Sequence, residues 1–273
     1  MKSAFALTTT RLLAGLAFAG MATTAVASST WNSQSCTQNL ANQDNYGNSF
    51  ACAASTPGDP SATITAWSTT SSGSKFADAS LDRYGGGFGV ANRIEGLSPG
   101  VPEHSMDNAA VGVTDLVAFS FSSSVILKQF QLGWSQTDAD VNVLRYVGSA
   151  ATLAAAMTGC TGGCTAAGLI GNGWELVGSY GNNASASTIT QNFNASNKSS
   201  SWWLVSAYDP GYGNGGELTG SVGNGYLDYV KVLTVSGDKA PPPPPQVPEP
   251  GSLALVGLAL WGLLRAGRRE ESI

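Results

Sequence analysis

The chain has 273 residues and a net charge of −5 at pH 7, and only 11% of its residues are charged, whereas glycine occupies 34 positions. Residues 28–246 carry eight Lys or Arg against fifteen Asp or Glu, so the composition argues against nucleic-acid binding, which needs a basic surface. Scarce charges and abundant glycine are typical of a secreted, turn-rich β protein.

The N-terminus has the pattern of a secretory signal peptide, residues 1–27. Lys2 and Arg11 flank the start of an apolar stretch at 12–26, and small residues at 25 and 27 predict cleavage after Ala27. We therefore expect export across the inner membrane by the Sec machinery. A retained signal anchor is the alternative.

Four cysteines follow the signal peptide: Cys36, Cys52, Cys160 and Cys164. An even count in an oxidising compartment indicates disulfides. Three pairings are possible, and sequence neighbourhood favours Cys36–Cys52 and Cys160–Cys164. A metal site is the alternative, but a CxxxC spacing without a nearby histidine does not supply the ligands that zinc requires.

Residues 28–237 are predicted to form one all-β domain, an antiparallel β-sandwich of jelly-roll type. Apolar and polar residues alternate with period two in most of it, as in 115–121, and a Ser-rich connection from there to 125–134 predicts a hairpin. Ala150 to Met157 predicts a short helix. The expected strands are 62–67, 76–84, 87–91, 115–121, 125–134, 141–147, 174–180, 188–193, 202–208 and 226–235.

Two further segments follow the domain. Residues 238–246 contain five consecutive prolines and predict a stiff polyproline II spacer. Residues 247–273 combine three features in a fixed order: the motif Val247, Pro248, Glu249, Pro250, then an apolar run from Leu253 to Leu264, then the basic residues Arg265, Arg268 and Arg269.

The apolar run predicts a short transmembrane helix. Twelve helical residues extend about 18 Å, less than the roughly 30 Å of a bilayer core, and the arginines that follow predict a cytoplasmic C-terminus. Proline restricts the residue before it, so 247–250 should be extended at the outer face of the membrane. A plain tail anchor is the alternative interpretation.

The VPEP motif, short apolar helix and arginine cluster resemble the PEP-CTERM sorting signal of Gram-negative bacteria. The resemblance implies that an exosortase, an integral-membrane protease-transpeptidase, recognises the motif and removes the tail. A string of segments across the domain also resembles exosortase-dependent surface proteins of the XDP type, which implies no catalytic residues. These segments are YGGGFGVANR, PEHSMDN, DLVAFSF, LGWSQTDADVNVLRYVG, WWLVSAY and GNGYLDYVKVLTV.

No convincing catalytic site is predicted, so we expect a protein that is not an enzyme. His104 is the only histidine. Together with Glu103 and Ser105 it is a candidate for a hydrolytic triad, but the sequence lacks the G-x-S-x-G motif of a nucleophile elbow. A secreted hydrolase is therefore a weak alternative. The glycine run at 85–89 lacks the strand–helix context of a nucleotide-binding loop.

Two binding hypotheses remain. Asp107, Asn108, Asp138 and Asp140 offer the hard oxygen ligands that calcium prefers, although such residues equally often make local turn hydrogen bonds. Outward-facing aromatics could instead form a platform for sugars. The candidates are Trp67, Trp134, Trp174, Trp202, Trp203, Tyr208 and Tyr212.

The pair Trp202-Trp203 bears on the sugar-platform hypothesis, because neighbouring side chains in a strand face opposite sides of the sheet, so the two tryptophans cannot both pack in one core.

Taken together, the sequence predicts an exported cell-surface or extracellular-matrix protein that is held transiently in the inner membrane and processed by an exosortase. We expect a structural or adhesive role in association with exopolysaccharide. A carbohydrate-binding module is the main alternative.

Overall fold

A computed structural model of the protein describes residues 28–70, 75–109, 113–161, 163–182, 188–242 and 258–261. The described part of the domain is mostly antiparallel β structure, which confirms the all-β class. The strands are β1 Ser29–Asn32, β2 Thr37–Gln38, β3 Ser49–Cys52, β4 Ala62–Thr69, β5 Phe76–Tyr84, β6 Gly87–Ala91, β7 Met106–Asp107, β8 Asp115–Thr137, β9 Val141–Tyr146, β10 Trp174–Tyr180, β11 Ile189–Asn192, β12 Ser200–Ala207, β13 Glu217–Thr219 and β14 Asp228–Lys239.

Strand β8 organises the sheet. Its first half pairs with β4 on one side and β12 on the other, and its second half pairs with β14 and β11. The predicted hairpin between 115–121 and 125–134 is therefore wrong. Serine is compatible with a turn, but here the backbone of the serines between these segments stays paired with other strands. Ser122 N donates to Ser61 O, and Ser124 O accepts from Ala240 N.

The strands form one continuous sheet instead of the two separate sheets of a sandwich. Its order is β13-β10-β9-β12-β8-β14-β6-β5-β4-β3-β2. An additional pairing joins β8 to β4, so that β8, β14, β6, β5 and β4 close a ring in a barrel-like arrangement. The closure follows from the length of β8, since its two halves supply the two sides of the ring.

Both faces of the first half of β8 are buried. Val117, Phe119 and Phe121 point into the main core, which also contains Trp31, Phe130 and Trp203. Leu116 and Ala118 point into a second cluster with Trp67, Trp174 and Tyr212. The predicted alternation of these residues is confirmed, and it explains why the segment is apolar on both sides.

Two short helices cover the second cluster. They are α1 Leu153–Thr158 and α2 Ala166–Gly171, and each begins with a threonine whose hydroxyl accepts a backbone N–H, Thr152 from Ala155 and Thr165 from Gly168. The helix predicted at 150–157 is confirmed and begins three residues later, and α2 was not predicted. The second disulfide, Cys160–Cys164, lies between the helices.

The other disulfide joins Cys36 to Cys52, so the favoured pairing is confirmed for both. At the other end of the domain, β14 extends to Lys239, two residues into the predicted spacer at 238–246. The extension is held in place because Ser28 Oγ and Lys128 Nζ both donate to the Asp238 carboxylate at 2.6 Å.

The predicted signal peptide and the sorting motif at 247–250 lie outside the described residues, as do Arg265, Arg268 and Arg269. Within the apolar run, residues 258–261 are helical. None of the helices in the described ranges is long and apolar enough to cross a membrane.

Candidate functional site

The four residues predicted to bind calcium do not come together in one site. Asp138 and Asp140 lie in the connection between β8 and β9, where Asp228, the first residue of β14, joins them. Asn108 is linked to this group, because its Nδ2 donates to Asp228 Oδ2 at 2.6 Å. Asp107 belongs to a different cluster of carboxylates.

Asp138, Asp140 and Asp228, called here the acidic network, have all six carboxylate oxygens engaged in hydrogen bonds. Asp140 and Asp228 are bridged directly, since Asp140 N donates to Asp228 Oδ1 at 2.7 Å. The donors to the other five oxygens are Ala139 N, Asn224 Nδ2, Asn182 N, Gly223 N and Asn108 Nδ2.

The donors to this network come from several loops, so the network clamps them to the β8–β9 connection. Burial raises the pKa of Asp228 to about 8, and the neighbouring carboxylates act in the same direction. Burial likewise raises the pKa of Asp140 to about 6, although the hydrogen bond from Gly223 opposes the shift. The arrangement resembles the turn hydrogen bonding that the sequence left open as the alternative to calcium.

Glu95, Asp107 and Asp115 form a second cluster, called here the carboxylate triad. One oxygen from each residue lies within 4.8 Å of the other two. The side chains of Asp107 and Asp115 are fully buried. In each of the three residues one buried oxygen, Glu95 Oε1, Asp107 Oδ2 and Asp115 Oδ2, has no hydrogen-bond partner.

Three chain segments converge to build the triad. Asn92 follows β6, and its Oδ1 accepts from Glu95 N at 3.1 Å, which turns the chain and directs Glu95 back towards the sheet. Asp107 ends β7, and its Oδ1 accepts from Ala109 N at 3.0 Å. Asp115 begins β8, and Asn92 Nδ2 lies 3.4 Å from its Oδ1.

Electrostatic repulsion within the triad is strong because water is excluded. Burial raises the pKa of Asp107, and the charges of Asp115 and Glu95 raise it further. The pKa of Asp115 is raised by burial and by Glu95, and burial also raises that of Glu95. Buried carboxylates of this kind are either protonated or neutralised by a positive charge.

Sequence reasoning did not find Glu95 or Asp115. A signal was nevertheless present, because Asp115 opens an apolar strand that is buried on both faces, where an unpaired carboxylate is costly. No local pattern links it to Glu95, twenty residues earlier in the chain, and only the fold brings the two together.

A third polar cluster surrounds Lys231, of which only 4% is exposed. Its Nζ lies 3.8 Å from the centre of the Trp134 ring and 4.9 Å from that of Tyr84. His104 stacks on Tyr84 with ring centres 4.4 Å apart. Tyr84 and His104 also line an open cavity of about 610 Å³ together with Gln38, Asp44, Phe50, Asp82, Arg83, Leu97, Ser98 and Pro99.

The seven aromatics suggested as a sugar platform do not form one surface. Trp67, Trp174, Trp203 and Tyr212 are buried, whereas the other three are half-buried. The opposite orientation of the neighbouring tryptophans is confirmed: Trp203 lies in the main core, and Trp202 packs on Tyr146 next to the second cluster.

Two residues of the candidate hydrolytic triad, His104 and Ser105, make contacts that do not join them to each other. Ser105 is fully buried, and its Oγ donates to Pro102 O at 2.6 Å. His104 stacks on Tyr84, and burial lowers its pKa, with the charge of Lys231 acting in the same direction.

The described part of the chain is a closed antiparallel sheet with two disulfides, a combination typical of exported domains. The C-terminus specifies more: residues 246–269 match the PEP-CTERM protein-sorting motif. No curated protein matches the chain. The suspected PEP-CTERM signal is therefore confirmed, and it supports a secreted, exosortase-dependent surface protein.

Proposed function

We propose that the protein is a non-enzymatic component of the cell surface or extracellular matrix. In this proposal, Sec exports the chain, and the tail holds it briefly in the inner membrane. An exosortase then cleaves it at or near Pro248, Glu249 and Pro250. The observation that carries the proposal is the sorting motif at residues 246–269.

The domain is suited to a structural or adhesive role in association with exopolysaccharide. Two disulfides and a closed sheet favour persistence in an oxidising environment. The strands that pair on one side only, β1, β2, β7, β11 and β13, are two to four residues long. Such short edges limit unwanted pairing with other chains in a crowded matrix.

Intact mass of the protein from its host tests the sorting step. We expect the exosortase-positive strain to release a chain that lacks the residues after the motif, and a strain without the enzyme to retain them. An identical, full-length tail in both strains would show a simple membrane anchor and remove the main support for a matrix role.

A carbohydrate-binding module is the second candidate, and the cavity beside Tyr84 favours it. Its walls combine aromatic rings with the polar side chains of Asp82 and Arg83, a mixture suited to sugar hydroxyls. Glycan-array binding that is lost in Tyr84→Ala and retained in Trp202→Ala would support this cavity as the site. The reverse pattern would point to the half-buried tryptophan instead.

We also propose that the domain has no catalytic activity. Its support is that His104 and Ser105 are engaged with Tyr84 and Pro102, respectively, and not with each other. A hydrolytic activity in the purified domain that disappears in His104→Ala would overturn it.

A further inference from the structure

We propose that Glu95, Asp107 and Asp115 bind one divalent cation of the calcium class and that this ion ties three segments of the exported domain together. The site differs from the one predicted from the sequence in two of its three ligands. It does not depend on the sorting function and could be present whether or not the tail is cleaved.

The unpartnered oxygens carry the inference. Each of the three carboxylates leaves one buried oxygen without a hydrogen bond, and these oxygens belong to side chains that approach one another. A buried polar atom without a partner is rare in folded proteins because the lost hydration is not replaced. Three such atoms in one cluster indicate a shared partner that supplies positive charge.

The spacing of the oxygens fits calcium. Calcium–oxygen distances are about 2.4 Å, so two oxygens on one ion are at most about 4.8 Å apart, and the ligand atoms of the triad lie within that limit. Magnesium binds at about 2.1 Å and keeps several waters, which a site with two fully buried carboxylates accommodates poorly.

The chemistry of the ligands disfavours zinc and copper. The triad offers only carboxylate oxygens, whereas zinc and copper prefer nitrogen and sulfur. All four cysteines of the chain form disulfides, and the only histidine stacks on Tyr84.

The acidic network provides an internal contrast. It also contains three buried aspartates with oxygens within 4.8 Å, but every oxygen there accepts a hydrogen bond from the protein. Its oxygens therefore already have protein partners, whereas the triad leaves three oxygens available to an ion. The acidic network is thus a matched control for the triad.

Bound calcium would join the turn after β6 to the end of β7 and the start of β8. Each segment contributes a single ligand, and the ion would add to the hydrogen bonds that Asn92 and the Asp107 backbone already make with Asp115. Ion binding to the folded state alone stabilises it by mass action. The domain should therefore be most stable where free calcium is abundant, as it is outside the cell.

The test uses the exported chain, dialysed against chelator and then titrated with calcium. Equilibrium dialysis with metal analysis should find one calcium per chain. At about 100 times the dissociation constant, the melting temperature should rise by about 5–10 °C relative to excess chelator. No bound calcium and an unchanged melting temperature in the wild type would overturn the proposal.

Variants locate the ion. Asp115→Asn and Glu95→Gln should each weaken calcium binding about tenfold or more, whereas the control Asp140→Asn in the acidic network should not. Glu95 is the least buried ligand, so its variant is the one expected to keep the fold if Asp115→Asn does not. Calcium binding that survives Glu95→Gln but is lost in Asp140→Asn would place the ion in the acidic network and refute the assignment.

Discussion

The ammonium group of Lys231 lies 3.8 Å from the centre of the Trp134 ring, in a position that leaves 4% of the residue exposed. The aromatic rings of Trp134 and Tyr84 favour its charged form through their negative faces. Burial opposes them and lowers the pKa of Lys231 to about 8 from its usual 10.5. Because its pKa differs between the folded and unfolded states, Lys231 should change how the free energy of unfolding depends on pH.

We expect Lys231 to make the domain more stable as the pH rises from about 8 to 10.5. In that window the unfolded lysine binds a proton that the folded one has lost, so the free energy of unfolding increases with pH. The contribution should be about 1–3 kcal/mol. Urea unfolding of Lys231→Met should lack this rise, whereas Lys239→Met, which alters an exposed lysine, should keep it. Equal slopes in both variants would contradict the prediction.

The two disulfides should contribute unequally to stability. Cys36–Cys52 closes a loop with a sequence separation of 16, and Cys160–Cys164 one of only 4. Loop-closure entropy predicts losses of about 3 and about 2 kcal/mol, respectively, when each pair is replaced by alanine. Denaturant unfolding of the two double variants measures this order, and a larger loss for the shorter loop would refute the entropic explanation.

Trp203 and Trp202 should differ strongly when each is changed to alanine. Trp203 is fully buried in the main core, and its Nε1 donates to Ser200 O at 2.9 Å, so Trp203→Ala should lose about 3–5 kcal/mol of unfolding free energy. Trp202→Ala should lose about 1–2 kcal/mol, because the residue is only half-buried. Equal losses would show that the two faces of β12 are packed alike.

Changes in the sorting motif should block processing without altering the domain. We expect Glu249→Ala together with Pro250→Ala to leave the tail attached in an exosortase-positive host, as seen by intact mass. Pro242→Ala, just before the motif, should be processed normally. The melting temperature of all three proteins should be the same, because these residues follow the last strand. Normal processing of the motif variant would place recognition elsewhere.

Most of the strands could be predicted because each carries its own signal. In 62–67, 76–84, 87–91 and 174–180 the expected strand and the observed one overlap almost completely. The strands β1, β2, β3, β7 and β13 were not predicted. Each has only two to four residues, which give a period little room to show.

The closed sheet could not be predicted, because it depends on pairings between distant segments. Ser122 and Ser123 are exposed and polar, and such residues are equally common in a turn and in a bend of a long strand. What decides between them is the backbone pairing of this region with residues 61 and 240, which no local pattern contains. The carboxylate triad escaped prediction for the same reason.

Strand β14 has a mechanical consequence. It leads from the domain towards the sorting signal, and it is paired along most of its length, with β8 on one side and partly with β1 on the other. A pull on the C-terminal segment therefore acts along the strand axis and loads many hydrogen bonds at once. Because Ser28 contacts Asp238, the first residue of the domain lies beside the strand end on which the tail would pull.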